Sequence, residues 1–521
     1  MAAVLSMAPP IAAFGESAEG NPVATTRKGK VRGYMQGAVL TFLGIPYGAP
    51  TSGEARFMPP SEPVQWNGVR DCTKLGPCAP QPPGNIFSSP LGPYFSGGRA
   101  DGVEKTTEAS GEDCLCLNVL TTRLQGKLPV MVYIHGGGFS SGSGALTAIS
   151  DRFVSEQNVV LVGVNHRLNV FGYTYLGGLD PRFADSGNVG QLDLIAALKW
   201  VRDNISSFGG DPSNVTIFGE SGGGAKVSTL LAMPGAKGFF KRAIIESGSL
   251  RTVRTKEAAE KDTANVLKSL GITPDRISDI FKISTADLLA AARQGGALGF
   301  GPVVDGRSVP HQTWESAAPP EASGVSLLVG NCKDESTIFM FQSAPALFHL
   351  DWEGLRAQEV SAGIPAAAVD ALIATYRKDY PTESASDIYF RLSSDRGARR
   401  NAITQATMKV EQNSGDVFMY QFAWNTPVAG GAVRAFHTAE LPLAMRLVLY
   451  PQAEELSRQI SGAWAAFARA GNPNHAGLPK WDSYKLAHKA TMIFDAVNTK
   501  QVIDPAKEEM EQLQPYPGGL L

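Results

Sequence analysis

A serine set between an acid and three glycines, GESGGG at 219–224, is the first place in this chain where chemistry could be done. A β-prone run, Val215 to Phe218, stops at Gly219, and a helix-compatible run resumes after Gly224. Glycine tolerates positive φ and lets other backbone approach closely, so the segment is either a packing turn or a strained presentation of Ser221. G-x-S-x-G between a strand and a helix favours the second reading. The elbow lifts the hydroxyl above a sheet and aims a helix N-terminus at it, where negative charge would be stabilised.

A serine nucleophile needs a base, an acid to orient that base, and donors for the oxyanion. Donors are offered upstream, where the strand-like VMVYIH (130–135) runs into Gly136-Gly137-Gly138-Phe139. Gly137, Gly138 and the N–H of Gly222 would make a three-donor hole. His135 opens this loop and is expected to hold the turn. With the chain order nucleophile, acid, histidine, four of the seven histidines remain as bases: His349, His437, His475 and His488. His437 follows a strong strand pattern and a Gly-rich loop, as suits a loop at a sheet edge. His475 and His488 lie in polar loop-like stretches, and His349 is expected in the core. For the acid, SLLVGNCKDES (326–336) offers Asp334 and Glu335 side by side, and the residues alone do not choose between them.

These residues need a scaffold. VMVYIH, VVLVGVNHR (159–167), NVTIFG (214–219), RAIIES (242–247), SLLVGN (326–331) and DVFMYQFAW (416–424) are nearly continuous apolar runs. Such runs mark strands covered on both faces. GQLDLIAALKWVRDNI (190–205) places Leu192, Ile195, Leu198 and Val201 at helical spacing. The pattern predicts an α/β fold with a large, mostly parallel sheet between helices. Helical insertions are expected near 254–320 and 352–412, and the Gly/Pro-rich residues 76–103 should form a long loop, a lid or a site wall.

Composition narrows the function. Hydrophobic residues make up 43% and charged residues 18%, with a net charge of −2 and no Lys/Arg block. That gives no support for nucleic-acid or membrane-surface binding. No apolar run reaches the roughly 18 residues of a membrane span. The small, apolar residues 1–25 read as a flexible tail or signal remnant, although they lack a basic n-region. The five cysteines, Cys72, Cys78, Cys114, Cys116 and Cys332, leave at least one unpaired, and no spacing suggests a metal site.

FLGIPYGAP, RFMPP, EDCLCLNV, YIHGGGF, NHRLNVFGY, GDPSNVTIFGESGG, GPVVDG, GNCKDES, FHTAELP and FARAGNPN occur in that order between about residues 28 and 485. In these blocks the chain resembles the type-B carboxylesterases, the family that includes cholinesterases and bacterial p-nitrobenzyl esterases. The resemblance implies an α/β-hydrolase fold over residues 26–521 as one catalytic domain. It implies a Ser221, Glu335, His437 triad, with Asp334 a neighbouring polar residue and Gly137, Gly138 and Gly222 as oxyanion donors. It also implies a Cys78–Cys114 disulfide closing the long loop, worth roughly 3–4 kcal/mol. No metal or cofactor is implied, and the partner is a small-molecule ester.

Departures from the family pattern are as informative. Cys116 stands where tyrosine is usual, Cys332 replaces a polar residue before the acid, and Lys226 replaces a small or hydroxyl residue. Lys226 is open to contact with an anionic acyl group, but pairing with an acid is the expectation, since buried lysines need partners. No tryptophan lies between Trp66 and Trp200, so the choline-binding tryptophan of cholinesterases is missing. The competing readings are an inactive cholinesterase-like binding or adhesion protein, and amide or thioester hydrolysis by the same triad. A formed Cys78–Cys114 bridge would favour a secreted or periplasmic protein, and free thiols a cytoplasmic one. Oligomeric state and acyl or alcohol preference are left open.

Overall fold

The structure, a computed structural model, describes residues 20–82, 88–294, 300–516 and 518. Most of the expected N-terminal tail therefore lies outside the described residues, and Val23–Thr26 is already a strand. It pairs with Gly29–Arg32, which pairs with Val69–Asp71 in a small separate sheet.

Among the described residues, eleven strands form the main sheet. In chain order they are β1 (Tyr34–Gln36), β2 (Val39–Pro46), β3 (Cys116–Thr121), β4 (Leu128–Ile134), β5 (Val160–Val164) and β6 (Gly210–Glu220). They continue as β7 (Arg242–Glu246), β8 (Ser326–Cys332), β9 (Val417–Phe422), β10 (Ala490–Phe494) and β11 (Lys500–Ile503). The spatial order is β11-β10-β9-β8-β7-β6-β4-β5-β3-β2-β1. From β5 to β10 every neighbour is parallel, and antiparallel strands finish both edges. Each expected apolar run is one of the parallel strands.

Both faces of these strands are covered, which is why their sequences do not alternate with polar residues. Val130, Val132 and Ile134 of β4 join one core cluster, whereas Met131 and Tyr133 join the other. The principal helices are α1 (Val189–Asn204), α2 (Gly222–Leu230), α3 (Lys256–Ser269), α4 (Thr285–Gln294) and α5 (Trp352–Ser361). Further along are α6 (Ala366–Asp379), α7 (Ala385–Ser394), α8 (Arg400–Glu411) and α9 (Glu454–Ala470). Leu194 and Leu198 of α1 and Val227 of α2 pack in the first cluster; Ile460, Trp464 and Phe467 of α9 pack in the second. Residues 300–319 hold bends and an isolated bridge from Val303 to Arg254 rather than helix.

The chain reverses its direction of growth at β4, since β5 lies on one side of it and β6 on the other. In open α/β sheets ligands bind at the carboxyl ends of the strands beside such a switch. The end of β4 leads to Gly136–Gly138, and the end of β6 leads to Ser221.

Two features brace this edge. Within the described part of the long loop, Gln81 and Gly142 exchange hydrogen bonds of 3.1 and 2.8 Å. Tyr94 packs against Phe436 and donates its hydroxyl to Ala439 O at 2.7 Å. The loop thus touches both the glycine turn and the chain around His437, as a site wall would. The expected Cys78–Cys114 bridge is not formed, however: all five cysteines are free, buried thiols. Burial pushes Cys78 up to about 11 and Cys114 well above its ordinary value.

The second brace is an ion pair. Arg167, after β5, meets Asp193 of α1 through Nε at 2.9 Å and Nη2 at 2.7 Å, and its Nη1 donates to Met58 O at 2.8 Å. The two side chains are 2% and 0% exposed. Two residues on, Asn169 donates its N–H to Phe139 O at 2.7 Å and its side chain to Ser140 O at 3.1 Å. Removing one partner of a buried pair leaves an uncompensated charge. Asp193→Ala should therefore cost about 3–5 kcal/mol of stability in urea denaturation. A loss near that of a surface pair would show that the brace carries no such load.

Candidate active site

Ser221 stands at the junction of β6 and α2 with φ +57° and ψ −124°. That region is costly for a residue with a Cβ, by about 1–3 kcal/mol. The junction is fixed from two sides. Ser221 N–H donates to Glu246 O of β7 at 2.8 Å, and the glycines around it admit no side chain. A Cβ on Gly223 would lie 2.0 Å from Ile134 O, and one on Gly222 would lie 2.4 Å from Gly138 N. The first turn of α2 therefore rests directly on the backbone of the β4 turn. In that turn Gly137 and Gly138 have φ of +84° and +61°. Among the described residues their N–H groups donate to no protein acceptor.

The end of β8 carries the two adjacent acid candidates, and here they separate. Glu335 Oε2 lies 2.5 Å from His437 Nδ1. Its Oε1 accepts from Ser247 Oγ at 2.7 Å and from Cys332 N–H at 2.8 Å. Asp334 instead accepts the Ala435 N–H at 3.2 Å and donates its own N–H to Ala435 O at 2.9 Å. It holds the chain just before His437, whereas Glu335 holds the imidazole. Glu335 is 0% and His437 4% exposed.

The other histidines stay apart from this cluster. His349 is exposed rather than in the core, because its 3-10 turn (Pro345–His349) has no buried residue. His488 is exposed, and His475 Nε2 lies 3.0 Å from Gln459 O. His135 is buried with Nδ1 2.9 Å from Gly136 O and stacks on His166 at 4.8 Å. It holds the glycine turn.

Three partners had little or no sequence signal. Glu220, inside the quoted motif, places Oε1 3.3 Å from His437 Nε2. Ser247 lies past a strand end that gives no hint of its contact with Glu335. Glu440 accepts from Cys332 Sγ at 2.8 Å and from Tyr420 Oη at 3.0 Å. Burial pushes the Glu220 carboxyl up to about 8, and burial and neighbouring carboxylates raise Glu246 and Glu440 as well. For His437, burial alone would lower the pKa. The carboxylates of Glu220 and Glu335 outweigh burial and bring it up to about 9.

Lys226 departs from expectation. It is 0% exposed, and no carboxylate pairs with it among the described residues. Its Nζ donates to His135 O at 2.9 Å and lies 5.6 Å from the centre of the Phe139 ring. Burial pushes it down to about 7. On the open side, Phe339 is 50% exposed with its ring 5.3 Å from the His437 ring. Among the described residues no group of three or more His, Cys, Asp or Glu side chains could hold a metal ion. No helix there is long and apolar enough to cross a membrane.

Several known proteins resemble this chain along most of its length. A sequence model described as "Carboxylesterase family" matches residues 20–513. The para-nitrobenzyl esterase of Bacillus subtilis is 35% identical over 516 residues, covering 95% of this chain and 99% of its own. A liver carboxylesterase of Sus scrofa is 32% identical over 513 residues, covering 89% and 88%. Among solved structures, a Geobacillus stearothermophilus carboxylesterase superposes with a TM-score of 0.80 at 34% identity, covering 94% of this chain and 100% of its own. A PNB esterase gives 0.77 at 32%, covering 95% and 100%.

The electrostatics can be measured directly. Carboxylates beside an imidazole favour its protonated form, so His437 should titrate well above the ordinary 6.5, near pH 9. Glu220→Gln removes one of those charges and should move the midpoint to lower pH in NMR of the ring. An unchanged midpoint would mean that Glu220 does not act on His437.

Proposed function

The chain belongs to the carboxylesterase family, and from that premise we propose that this carboxylic ester hydrolase works through an acyl-enzyme on Ser221. Neutral His437 takes the Ser221 proton as Oγ attacks the ester carbonyl. Glu335 holds the imidazole by Nδ1 and stabilises the imidazolium that forms. The N–H groups of Gly137, Gly138 and Gly222 receive the oxyanion, and the last of these also carries the positive end of the α2 dipole. His437 then gives its proton to the departing alcohol. A water, deprotonated by the same imidazole, attacks the acyl carbonyl and releases the acid and Ser221.

What carries the reading is the 2.5 Å contact between His437 and Glu335. The other imidazole nitrogen faces Glu220, the residue bonded to Ser221. Because Glu220 and Glu335 both favour the imidazolium, the basic form needs a higher pH than for a free histidine, and kcat/KM should rise into the alkaline range.

For substrate class we infer neutral esters. The ring packed against His437 on the open side is Phe339, and the segment from 67 to 199 has no tryptophan. Recognition of a quaternary ammonium works best over a tryptophan face. A choline leaving group should gain little here, while p-nitrophenyl acetate or butyrate should be hydrolysed readily. The check is kcat/KM for a choline ester against its neutral isostere. A preference for choline above about tenfold (~1.4 kcal/mol) would reveal another aromatic cage.

The nucleophile and acid are tested together. An organophosphate should add mass to the peptide containing Ser221 and leave Ser221→Ala unlabelled and inactive. Glu335→Gln should lower kcat by about 10⁴, the loss expected when the orienting acid is removed. Asp334→Asn, which keeps an acceptor for Ala435 N–H, should retain most activity. Labelling at another serine, or the reverse pattern at 334 and 335, would overturn the assignment.

A further inference from the structure

Ester hydrolysis as set out above leaves the buried amine of Lys226 unused. It sits one helical turn beyond Ser221 and is wholly buried. A cation there is disfavoured twice. Burial strips its water, and the first turns of a helix carry the positive end of the dipole. No carboxylate offsets this. The ammonium is instead committed to one acceptor, the carbonyl of His135, at 2.9 Å.

That carbonyl belongs to the first peptide of the glycine turn. β4 ends at Ile134, the last residue that pairs with β6. The next three carbonyls leave the ladder, and each finds a donor. His135 O accepts from Lys226, and Gly136 O lies 2.9 Å from His135 Nδ1. Gly137 O accepts from Ser141 N–H at 3.1 Å and Ser140 N–H at 3.3 Å. In a trans peptide the C=O and the N–H point opposite ways. Tying down the carbonyls therefore sets where the N–H groups of Gly136, Gly137 and Gly138 point. Those of Gly137 and Gly138 have no protein acceptor among the described residues. A turn with two left-handed glycines is soft by itself, so its aim has to come from such anchors.

We propose that Lys226 is a positioning residue for the oxyanion donors: by holding the His135 carbonyl it fixes the first peptide of the glycine turn and aims the following N–H groups at the carbonyl oxygen of an ester attacked by Ser221. The inference rests on the reading of Ser221 as nucleophile. Both the ammonium and the neutral amine can donate, so the anchor persists in either protonation state. Its contribution falls on the transition state, because charge builds on the oxygen only there.

The test uses the full chain and p-nitrophenyl butyrate, with active sites counted by the p-nitrophenol burst of an organophosphate. Lys226→Met has nearly the same shape and no donor; Lys226→Arg keeps a donor. The expected result is a fall in kcat per titrated site of about tenfold for Lys226→Met with KM little changed, and substantial recovery in Lys226→Arg. Inhibition by an aryl trifluoromethyl ketone, whose adduct on Ser221 carries an oxyanion, should weaken in parallel. Should Lys226→Met not fold, Lys226→Gln, whose donor is one atom too short for the same reach, carries the test. A fall in kcat of less than about threefold, or a loss carried by KM or by the number of titratable sites, would overturn the proposal. Ser221→Ala is assayed alongside. Residual full activity there would remove the premise itself, whereas a dead Ser221→Ala with an unimpaired Lys226 variant would sink only the role of Lys226.

Discussion

The contact on which the rest depends is backbone against backbone. The first turn of α2 lies on the turn after β4, so closely that a single methyl group at Gly222 or Gly223 would overlap Gly138 or Ile134. Three requirements meet at this contact. Ser221 must leave the sheet at an angle that only a left-handed φ provides. The α2 N-terminus must point to the place where the serine hydroxyl emerges. The glycine N–H groups must face the same point from the other side. The approach leaves no room for a side chain at 222 or 223, while at 137 and 138 the positive φ is what favours glycine. Strand order supplies the framework, because β4 and β6 are neighbours at the switch in the sheet and their ends meet there.

Around that contact the electrostatics are set by burial rather than by surface ion pairs. Glu220, Glu246, Glu335 and Glu440 are all fully or almost fully buried, and so is His437. Four carboxylates cannot all ionise in such a space, and Glu220, Glu246 and Glu440 are accordingly held above the ordinary range. Glu335 differs in its partners. Ser247 Oγ, Cys332 N–H and His437 Nδ1 all meet its two oxygens. Carboxylic acids brought together from distant parts of the chain thus differ in their donors. The thiol of Cys332, where the family has a polar residue, donates to Glu440, so the substitution keeps a donor in place instead of removing one.

The sequence made the fold class and the reactive residues legible for the same reason: both depend on local patterns. Continuous apolar runs mark buried parallel strands, and G-x-S-x-G between strand and helix marks a turn whose geometry needs those glycines. The choice between Asp334 and Glu335 was not local, because it turns on which carboxylate reaches a loop about a hundred residues on. His349 was misjudged because an apolar neighbourhood in sequence need not be a buried one; its short turn lies on the surface. Lys226 was expected to find an acid by a rule about buried lysines that holds on average. Here a carbonyl and an aromatic ring took that role, and only the contact between α2 and β4 could reveal it. The Cys78–Cys114 pairing came from family resemblance alone, and the structure holds the two as separate thiols.

Strain and burial at the site have a common source of support. A left-handed Ser221, a lysine without a counter-ion and a cluster of acids are each unfavourable by about a kcal/mol or more. They persist because the surrounding core determines their positions many times over. β6 carries Ser221 and pairs with β4 on one side and β7 on the other, and both neighbours are buried along their length. The Arg167–Asp193 pair ties α1 to the segment that holds Phe139 and Ser140. Tyr94, from the long loop, fixes the chain on the far side of His437. The glycine turn and the histidine loop are thus held by elements distant in sequence and rigid in themselves. A change in any one of them acts on both loops through the buried core, so the stability of the core and the geometry of the two loops are coupled.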